Sequence, residues 1–520
     1  MSKGIVLYNG KIVTLNKNNS IAESLLIEDN LIKDINMNME LIPPSCNDYI
    51  FIDLKGRTVL PGFYDSHIHL VSTFLSYNSI NLNEVKSIED IQSLIQKKAR
   101  ENPGSSLIYG GGISSFKLKE TRYPTKLEID KIAPNIPVVL ASVEYHTVIL
   151  NSCAMRLFKI PFTTDFFEKD SNGSFTGVLK NRASALARKK MFQLISEEDY
   201  SIGIKPTFDK LIQKGVTTVI AVEGGHQVDD RHINLIMKNK NKFPIDVEVF
   251  CSTTNLRKIT QYNFSRVGGD ILLDGSFRSK NAALFEGYEN DKENKGKLFF
   301  SKEELIEFIR QANGRGLQVS IHAVGTRAID LLLNAYEEAL SEFPRRDHRH
   351  RIEHFELPTY EQIQKAAKLN LVLAMHPNYE YFFREENEMY INHLGRERSK
   401  LTNPFRAILD SGIIIAGCSD SDAMPIDPML SIHSCVNHPN PDSRITPLEA
   451  IKMHTYNGAY SIFEENKKGS IEINKIADLI VLDKDPLTVS KHTIKDIEVL
   501  LTIKNGKVLY NNLSKEEVSC

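Results

Sequence analysis

The sequence has no tryptophan, no cysteine pair at metal-binding spacing and no excess of either charge. Lysine and arginine total 64 against 66 aspartates and glutamates, for a formal net charge of -2 over 520 residues. This balance provides no general attraction to nucleic acids or anionic membranes. The six cysteines are scattered, without a CxxC pair, and we expect free thiols in a reducing compartment. The lack of tryptophan excludes indole stacking on a ligand.

Long apolar runs are missing as well. The first segment, MSKGIVLYNGKIVTLNK, is interrupted by polar residues and lacks the apolar core of a signal peptide. No window approaches the roughly 20 uninterrupted apolar residues of a membrane helix. We therefore expect a cytoplasmic protein with neither a membrane nor a nucleic-acid partner.

Both ends of the chain contain short runs typical of β-strands. In GIVLYNGKIVTLN and in VLLTIKNGKVLYN, an Asn-Gly pair separates two apolar runs, at Asn9–Gly10 and at Asn505–Gly506. Asn-Gly between apolar runs is a strong signal for a β-hairpin. Each end alone is too small for a stable core. We therefore predict that residues 1–58 and 467–520 pack together as a small discontinuous β-sandwich domain.

Between the two ends, strand-like runs alternate with longer amphipathic stretches. This alternation is typical of α/β proteins with parallel strands. A (β/α)8 barrel needs eight such strands, whereas ten runs are present, and the count alone does not say which two lie elsewhere. The runs are 58–66, 106–113, 137–144, 216–223, 246–253, 270–276, 317–325, 350–355, 371–377 and 413–421.

The first run of the middle region ends in His67 and His69. Residues i and i+2 of a strand point to the same side, so both imidazoles can reach one ion. Imidazole is a common ligand for zinc and similar metals. By itself, an HxH pair is also compatible with two partly exposed histidines at a strand end.

Three other runs end in the same kind of residue. His322 ends LQVSIH, His354 ends HRIEH, and Asp420 follows IIIAGCS. Barrel enzymes assemble their sites from the carboxyl ends of several strands. The shared position of these residues therefore predicts one site that contains them together with the HxH pair.

The ordered motifs resemble the signature of the amidohydrolase superfamily. More narrowly, they resemble the amidohydrolase family 3 branch, which includes enzymes similar to N-substituted formamide deformylase. The resemblance covers nearly the whole chain. It implies a TIM-like (β/α)8 barrel over residues 59–466, with an α/β insertion at 75–205 after the first barrel strand that caps the barrel mouth and contains the second and third runs. The motifs are PGFYDSHIHL, IHAVGTRA, HRIEHFELP, AGCSDSDAMPIDPM and HTYNGAYSIFEENKKGSIEINKIADLIVLDKDP.

The resemblance also implies a divalent metal, with Zn2+ favoured. Asp420 is then expected to act as the catalytic base. His354, or His322 if His354 is fully committed to the metal, is expected to hydrogen-bond the substrate oxygen. His146, in the insertion, fits either the substrate pocket or a structural role. The implied metal ligands are His67, His69, His322, His354 and Asp420.

Three positions depart from the family pattern. Asp270 stands where members often carry a lysine whose carboxylated form bridges two metals, so one ion is favoured over two. Thr326 replaces the aspartate of the HAxGD pattern. His376 replaces a common glutamine and either contacts substrate or lines the wall, while Asp270 is a second candidate for substrate contact. The aromatic run 379–383 either lines an apolar mouth or packs between helices.

The expected reaction is hydrolysis of a non-peptide C–N bond in a small amide, such as an N-substituted formamide or an N-acyl amine. A bound cation lowers the pKa of its water to about 7, which supplies the nucleophile. Cyclic-amide hydrolysis and ring deamination share the same motifs and stay open. A catalytically inactive scaffold is disfavoured because the whole implied ligand set is present. A homodimer is compatible with the sequence.

Overall fold

The computed structural model describes residues 4–36, 49–101, 106–142, 147–159, 167–224, 230–386, 388–514 and 517–519. The chain divides into two compact units. The first contains residues 1–70, 208–223 and 238–520, and the second contains 71–207 and 224–237. The insertion predicted at 75–205 falls within the second unit. None of the described helices is long and apolar enough to cross a membrane.

Eight parallel strands of the first unit form a TIM-like barrel. The ring is completed by backbone hydrogen bonds between the first strand and the segment after the last one. Asp420 N donates to His67 O at 3.0 Å, and His69 N donates to Ser421 O at 2.7 Å. The predicted barrel is confirmed. Its strands are Phe63–Ile68, Val216–Glu223, Asp246–Cys251, Arg266–Leu272, Gln318–Ala323, Arg351–His354, Val372–Met375 and Ile414–Gly417.

Helices that bury one apolar face connect the barrel strands. Lys302–Gly314 begins at a capping box formed by Ser301 and Glu304, which satisfies free backbone donors of its first turn. The α-helices of this unit are Leu256–Gln261, Lys302–Gly314, Thr326–Glu342, Tyr360–Lys368, Asn378–Glu380, Met389–Ser399, Phe405–Asp410, Pro428–Val436, Pro447–Met453 and Tyr456–Tyr460. Shorter turns are the 3-10 helices Lys240–Lys242, Pro441–Ser443 and Lys491–Asp496 and the π-helix Tyr381–Glu386.

The first predicted run, 58–66, is two strands in two sheets. Thr58–Pro61 pairs with Leu479–Leu482 outside the barrel, while Phe63–Ile68 is the first barrel strand. Gly62 lies between them and donates its N–H to Asp478 O at 2.8 Å. A Cβ on Gly62 would lie 2.4 Å from the Thr217 side chain, so this crossing requires a residue without one.

The predicted fourth barrel strand, 270–276, was wrong in its bounds. The strand is Arg266–Leu272 and includes two glycines that resemble a turn signal. Gly268 has φ +103°, and a Cβ there would lie 1.8 Å from Ser320 O on the next strand. Gly268 therefore permits close approach of two strand backbones, which strand propensity alone does not reveal.

The two ends of the chain contribute strands to two further sheets. Val499–Lys504 pairs with Lys507–Asn511, which confirms the hairpin at Asn505–Gly506. The hairpin at Asn9–Gly10 was wrong, because Gly4–Tyr8 and Lys11–Val13 belong to different sheets. In order, one sheet contains Val518–Ser519, Tyr49–Asp53, Gly4–Tyr8, Leu25–Glu28 and Leu31–Ile35. The other contains Lys507–Asn511, Val499–Lys504, Leu479–Leu482, Thr58–Pro61, Lys11–Val13 and Ile21–Ala22.

Apolar side chains from both of these sheets form one buried cluster. Leu7 and Ile27 come from the first sheet, and Val59 and Leu501 from the second. Thr58–Pro61 extends three residues past the predicted domain boundary. The composite domain of 1–58 and 467–520 stays a prediction.

The second unit contains a separate six-stranded sheet. The runs at 106–113 and 137–144 contribute Ile108–Ile113 and Val138–Ser142 to it, so they lie outside the barrel as predicted. The other strands are Ile80–Asn81, Thr147–Leu150, Phe167–Lys169 and Phe175–Lys180. Helices wholly or mostly in this unit are Leu70–Asn78, Ile88–Glu101, Lys126–Asp130, Ser152–Phe158, Asn181–Leu194, Glu197–Gln213 and Arg231–Asn239, with a 3-10 turn at Ser115–Lys117.

Candidate metal centre

The structure brings the five predicted ligands together at the carboxyl ends of four barrel strands. The ring centroids of His67 and His69 are 5.3 Å apart, and those of His322 and His354 are 4.3 Å apart. Asp420 Oδ1 lies 3.3 Å from His69 Nε2 and 3.5 Å from His67 Nε2. The strand-end positions explain this convergence, since parallel barrel strands all end on one face.

Asp270 lies between the two pairs of histidines. Its Oδ1 is 3.6 Å from His322 Nδ1, and its Oδ2 is 4.0 Å from His69 Nε2. Donor atoms of Asp270 with His67 and His69 lie within 4.8 Å of one another, and so do those of Asp270 with His322 and His354. Burial raises the pKa of Asp270, but the attraction of the adjacent His322 and of the other nearby histidines outweighs it, so the pKa is lowered. The carboxylate is thus shared by two donor groups, whereas the sequence indicated only a contact with substrate.

His376 is fully enclosed beside the same histidines. Its ring centroid is 4.9 Å from that of His67 and 4.2 Å from that of His354. The three side chains form a further group whose donor atoms lie within 4.8 Å of one another. Burial lowers the pKa of His376 to about 3, so its imidazole is neutral at physiological pH. Its contact with substrate stays a prediction, and His146 falls outside the described residues.

The buried carboxylate of Glu353, which the motifs did not predict, hydrogen-bonds the ring of His67. Glu353 Oε2 is 2.7 Å from His67 Nδ1, and both side chains are fully buried. Arg351 donates to the two Glu353 oxygens at 2.9 Å each, and Ser320 Oγ donates to Oε1. Burial raises the pKa of Glu353, yet Arg351 and His67 outweigh it and lower the pKa to about 2.

This carboxylate sets the tautomer of His67. A hydrogen bond from Nδ1–H to a carboxylate leaves Nε2 as the lone-pair nitrogen, the usual arrangement for a metal-binding histidine. The available sequence signal was Arg351 and Glu353 at alternate positions of HRIEH, where a buried barrel strand is otherwise apolar.

Asp65, two residues before the HxH motif, aligns the first and last barrel strands. It accepts hydrogen bonds from Ser419 N at 2.9 Å and from Ser419 Oγ at 2.5 Å. Burial raises the pKa of Asp65 to about 6, against the effect of these hydrogen bonds. The adjacent residue Asp420 is thereby placed opposite His67.

Tyr379 contacts Asp420 from the other side. Its hydroxyl donates to Asp420 Oδ2, and its ring stacks on His376 with centroids 5.2 Å apart. Burial raises the pKa of Asp420, but the attraction of His69 and of the surrounding histidines outweighs it and holds the pKa well below its usual range. The aromatic run 379–383 therefore does more than pack, because its first member touches the candidate catalytic carboxylate.

Four atoms of this site are buried without a hydrogen bond among the described residues: His67 Nε2, His322 Nδ1, His354 Nδ1 and Asp420 Oδ1. Buried polar atoms are normally paired, so four unsatisfied ones in a single cluster call for a further partner. Imidazole nitrogens and carboxylate oxygens are donors suited to zinc and similar divalent cations. The donor set fits a divalent metal.

Comparison with known proteins agrees with this geometry. The model of the Amidohydrolase family matches residues 51–510. A Bacillus subtilis (strain 168) protein named amidohydrolase YtcJ is 27% identical over 97% of this chain and 99% of its own. The N-substituted formamide deformylase of Arthrobacter pascens is 26% identical over 98% of each chain.

A solved structure is similar over nearly the same length. The crystal structure of a metal-dependent hydrolase from Pyrococcus furiosus superposes with a TM-score of 0.79 and 27% sequence identity. The match covers 93% of this chain and 100% of the Pyrococcus chain. Fold, motif order and family model thus agree along most of the sequence. The chain belongs to the amidohydrolase family and is a hydrolase of carbon–nitrogen bonds.

Proposed function

We propose that this protein is a metal-dependent amidohydrolase that cleaves the C–N bond of a small linear amide. The observation that carries the proposal is the set of four buried, unpaired nitrogen and oxygen atoms on three barrel histidines and Asp420. Burying polar atoms without partners costs free energy of folding, so such a cluster favours a bound ligand. A site formed at the carboxyl ends of barrel strands is also where enzymes with this fold work.

The residues that would hold the cation are the five predicted ones, with Asp270 as a sixth donor. A divalent cation bound there, for which Zn2+ is the proposed identity, supplies a nucleophilic water at neutral pH. Because the sequence carries Asp270 where a bridging lysine is common, we propose one ion. The sharing of Asp270 between two donor groups makes two ions the alternative to be tested.

Asp420 is proposed to hold and move the proton. Its low pKa keeps it ionised at neutral pH, so it can accept a proton from the attacking water and pass it to the departing amine. In this cycle the amide C–N bond breaks, water supplies the hydroxyl of the new acid, and the amine leaves with the transferred proton.

His354 is proposed to hydrogen-bond the substrate carbonyl oxygen as charge develops there. Burial, followed by the charges of His376 and His322, holds its pKa well below the ordinary value, so the imidazole is neutral. A neutral imidazole retains one N–H donor.

An N-substituted formamide or N-acyl amine is the proposed substrate class. This proposal is supported by the similarity to the Arthrobacter pascens deformylase. It is also supported by the roles proposed for Asp420 and His354, which together suit transfer of an acyl group to water. Cyclic-amide hydrolysis, ring deamination and an inactive scaffold are the competing outcomes.

The test uses protein stripped of metal and reloaded separately with Zn2+, Co2+ or Mn2+. The panel contains N-formyl, N-acyl and cyclic amides and amino-substituted purines and pyrimidines. We expect metal-dependent release of amine from linear amides. Ring opening or ammonia release without linear-amide cleavage would establish a competing reaction, and metal binding without turnover of the panel would favour the scaffold. Titration with Zn2+, followed by elemental analysis, gives the number of ions.

A further inference from the structure

We propose that Tyr379 is a positioning residue for Asp420. Its phenol holds one carboxylate oxygen so that the other faces the imidazole nitrogens of the candidate metal centre. The inference rests on the proposed function in one respect, namely that Asp420 transfers the proton.

The two oxygens of Asp420 have different surroundings. Oδ2 accepts the hydrogen bond from the Tyr379 hydroxyl. Oδ1 has no hydrogen bond among the described residues and lies 3.3 Å from His69 Nε2 and 3.5 Å from His67 Nε2. One carboxylate oxygen of Asp420 thus faces the phenol of Tyr379, and the other faces the candidate metal centre.

The backbone of Asp420 is already fixed by other contacts. Its N–H donates to His67 O at 3.0 Å, and its φ of +61° places it in the left-handed region. Rotation of the carboxylate is the main remaining freedom of the side chain. The phenol restrains this rotation, because the Tyr379 hydroxyl donates to Oδ2 and a carboxylate turned away would lose that hydrogen bond.

Tyr379 is itself held firmly enough to act in this way. Its ring packs against those of His376 and Phe383, with centroid distances of 5.2 Å and 4.8 Å. Its backbone N–H donates to His376 O at 3.1 Å. The ring is therefore fixed by packing, and its hydroxyl points at Asp420.

A purely structural role must be separated from this one, since any buried tyrosine hydroxyl needs a hydrogen-bond partner. Tyr288 is a suitable control. It lies in the same apolar cluster, is fully buried, and donates its hydroxyl to Ala282 O at 2.9 Å. Tyr288→Phe removes an equivalent buried hydroxyl that does not touch Asp420.

Tyr379→Phe keeps the stacked ring and removes only the hydroxyl. The carboxylate can then turn both oxygens toward the imidazole nitrogens. We expect kcat to fall by about 10- to 100-fold, the change corresponding to loss of a hydrogen bond to a charged group. The KM and the affinity for Co2+ should change by less than about threefold, because the histidines and the substrate contacts are retained.

The experiment compares wild type, Tyr379→Phe and Tyr288→Phe, each loaded with Co2+. The measurements are kcat and KM for 4-nitroformanilide, Co2+ affinity by chelator competition, the visible spectrum of the bound Co2+, and Tm. We expect only Tyr379→Phe to lower kcat and alter the Co2+ spectrum, with similar decreases in Tm for both variants.

Two results would overturn the proposal. One is a wild-type kcat and Co2+ spectrum in Tyr379→Phe, and the other is an equal loss of kcat in Tyr288→Phe. If wild type fails to cleave 4-nitroformanilide and the wider amide panel, the proposed function fails. The Co2+ spectrum then decides the positioning role by itself, since it reports the surroundings of the ion without turnover.

Discussion

The carboxylate of Glu353 accepts a hydrogen bond from Nδ1 of His67 at 2.7 Å, in the fully buried interior of the barrel. Arg351 balances the charge of Glu353 with two hydrogen bonds of 2.9 Å. The arrangement orients His67 toward the candidate metal centre from the opposite side. Glu353, which lies below the site in the barrel interior, thus fixes the orientation of His67.

Glu353→Gln should weaken metal binding by about 10- to 100-fold, because ligand-orienting carboxylates typically contribute that much. Zn2+ affinity, measured by chelator competition, checks this. Arg351 loses its buried counter-charge in this variant, which costs about 3–5 kcal/mol of stability, so Tm must be followed in the same samples.

The matched control for this change is Glu337→Gln. Glu337 lies on the outer helix Thr326–Glu342 and pairs with Lys365 at 2.6 Å. We expect its Zn2+ affinity to equal that of wild type. A Glu353→Gln protein that is folded and binds Zn2+ as tightly as wild type would show that Glu353 does not orient His67.

Asp420→Asn should lower kcat by about 10²- to 10⁴-fold, the usual contribution of a general acid–base group, while most metal is retained. The amide keeps an oxygen near the cation but cannot carry the proton. Metal content and turnover are measured in one preparation, with His67→Ala as the control for ligand loss. Near-wild-type turnover in a metal-loaded Asp420→Asn protein would exclude the proton-transfer role, whereas complete loss of metal would identify Asp420 as an essential ligand.

His454 should make stability depend on pH. It is buried, with Nε2 2.7 Å from Ser431 Oγ and Nδ1 3.2 Å from Tyr64 O. Burial lowers its pKa from 6.5 to about 4, against the hydrogen bond to Tyr64. Between these two values the unfolded chain binds the proton that the folded chain excludes, so stability rises with pH. The contribution is complete above pH 6.5 and is lost as pH falls toward 4.

This loss amounts to about 3 kcal/mol, from 1.36 kcal/mol for each unit of pKa shift. Urea unfolding at several pH values between 7 and 4 measures it. His454→Gln should show a shallower decline in the free energy of unfolding than wild type. His492→Gln, at an exposed histidine, should keep the wild-type slope, and identical slopes in all three proteins would refute the assignment.

Gly268→Ala should destabilise the barrel strongly or prevent folding. At this position φ is +103°, and a Cβ would lie 1.8 Å from Ser320 O in the adjacent strand. Gly314→Ala is the control, because Gly314 ends the helix Lys302–Gly314 and its added Cβ would meet nothing closer than 3.5 Å. We expect its Tm to be unchanged or raised, since alanine is favoured over glycine in helices by roughly 0.5–1 kcal/mol. Comparable Tm values for the two variants would disprove the close-approach argument.

The sequence by itself indicated the alternation of strands and helices and the chemistry-bearing residues at the ends of four runs, whereas the choice of the eight barrel strands among ten runs depended on the family resemblance. Strand alternation and the position of His322 or His354 at the end of an apolar run are local properties, readable from a few neighbouring residues. The convergence of these ends follows from the parallel barrel without side-chain detail. The ligand roles of these residues stay predictions.

Only the tertiary structure decided which side chains support the site. His67 and Glu353 are 286 positions apart in the chain, and Tyr379 and Asp420 are 41 apart. The sharing of Asp270 between two histidine pairs also depends on how neighbouring strands place their ends. The same applies to the separation of Gly4–Tyr8 from Lys11–Val13, which a local turn signal had joined. Such pairings are selected by burial and strand register across the whole barrel and its flanking sheets, so a local pattern does not specify them.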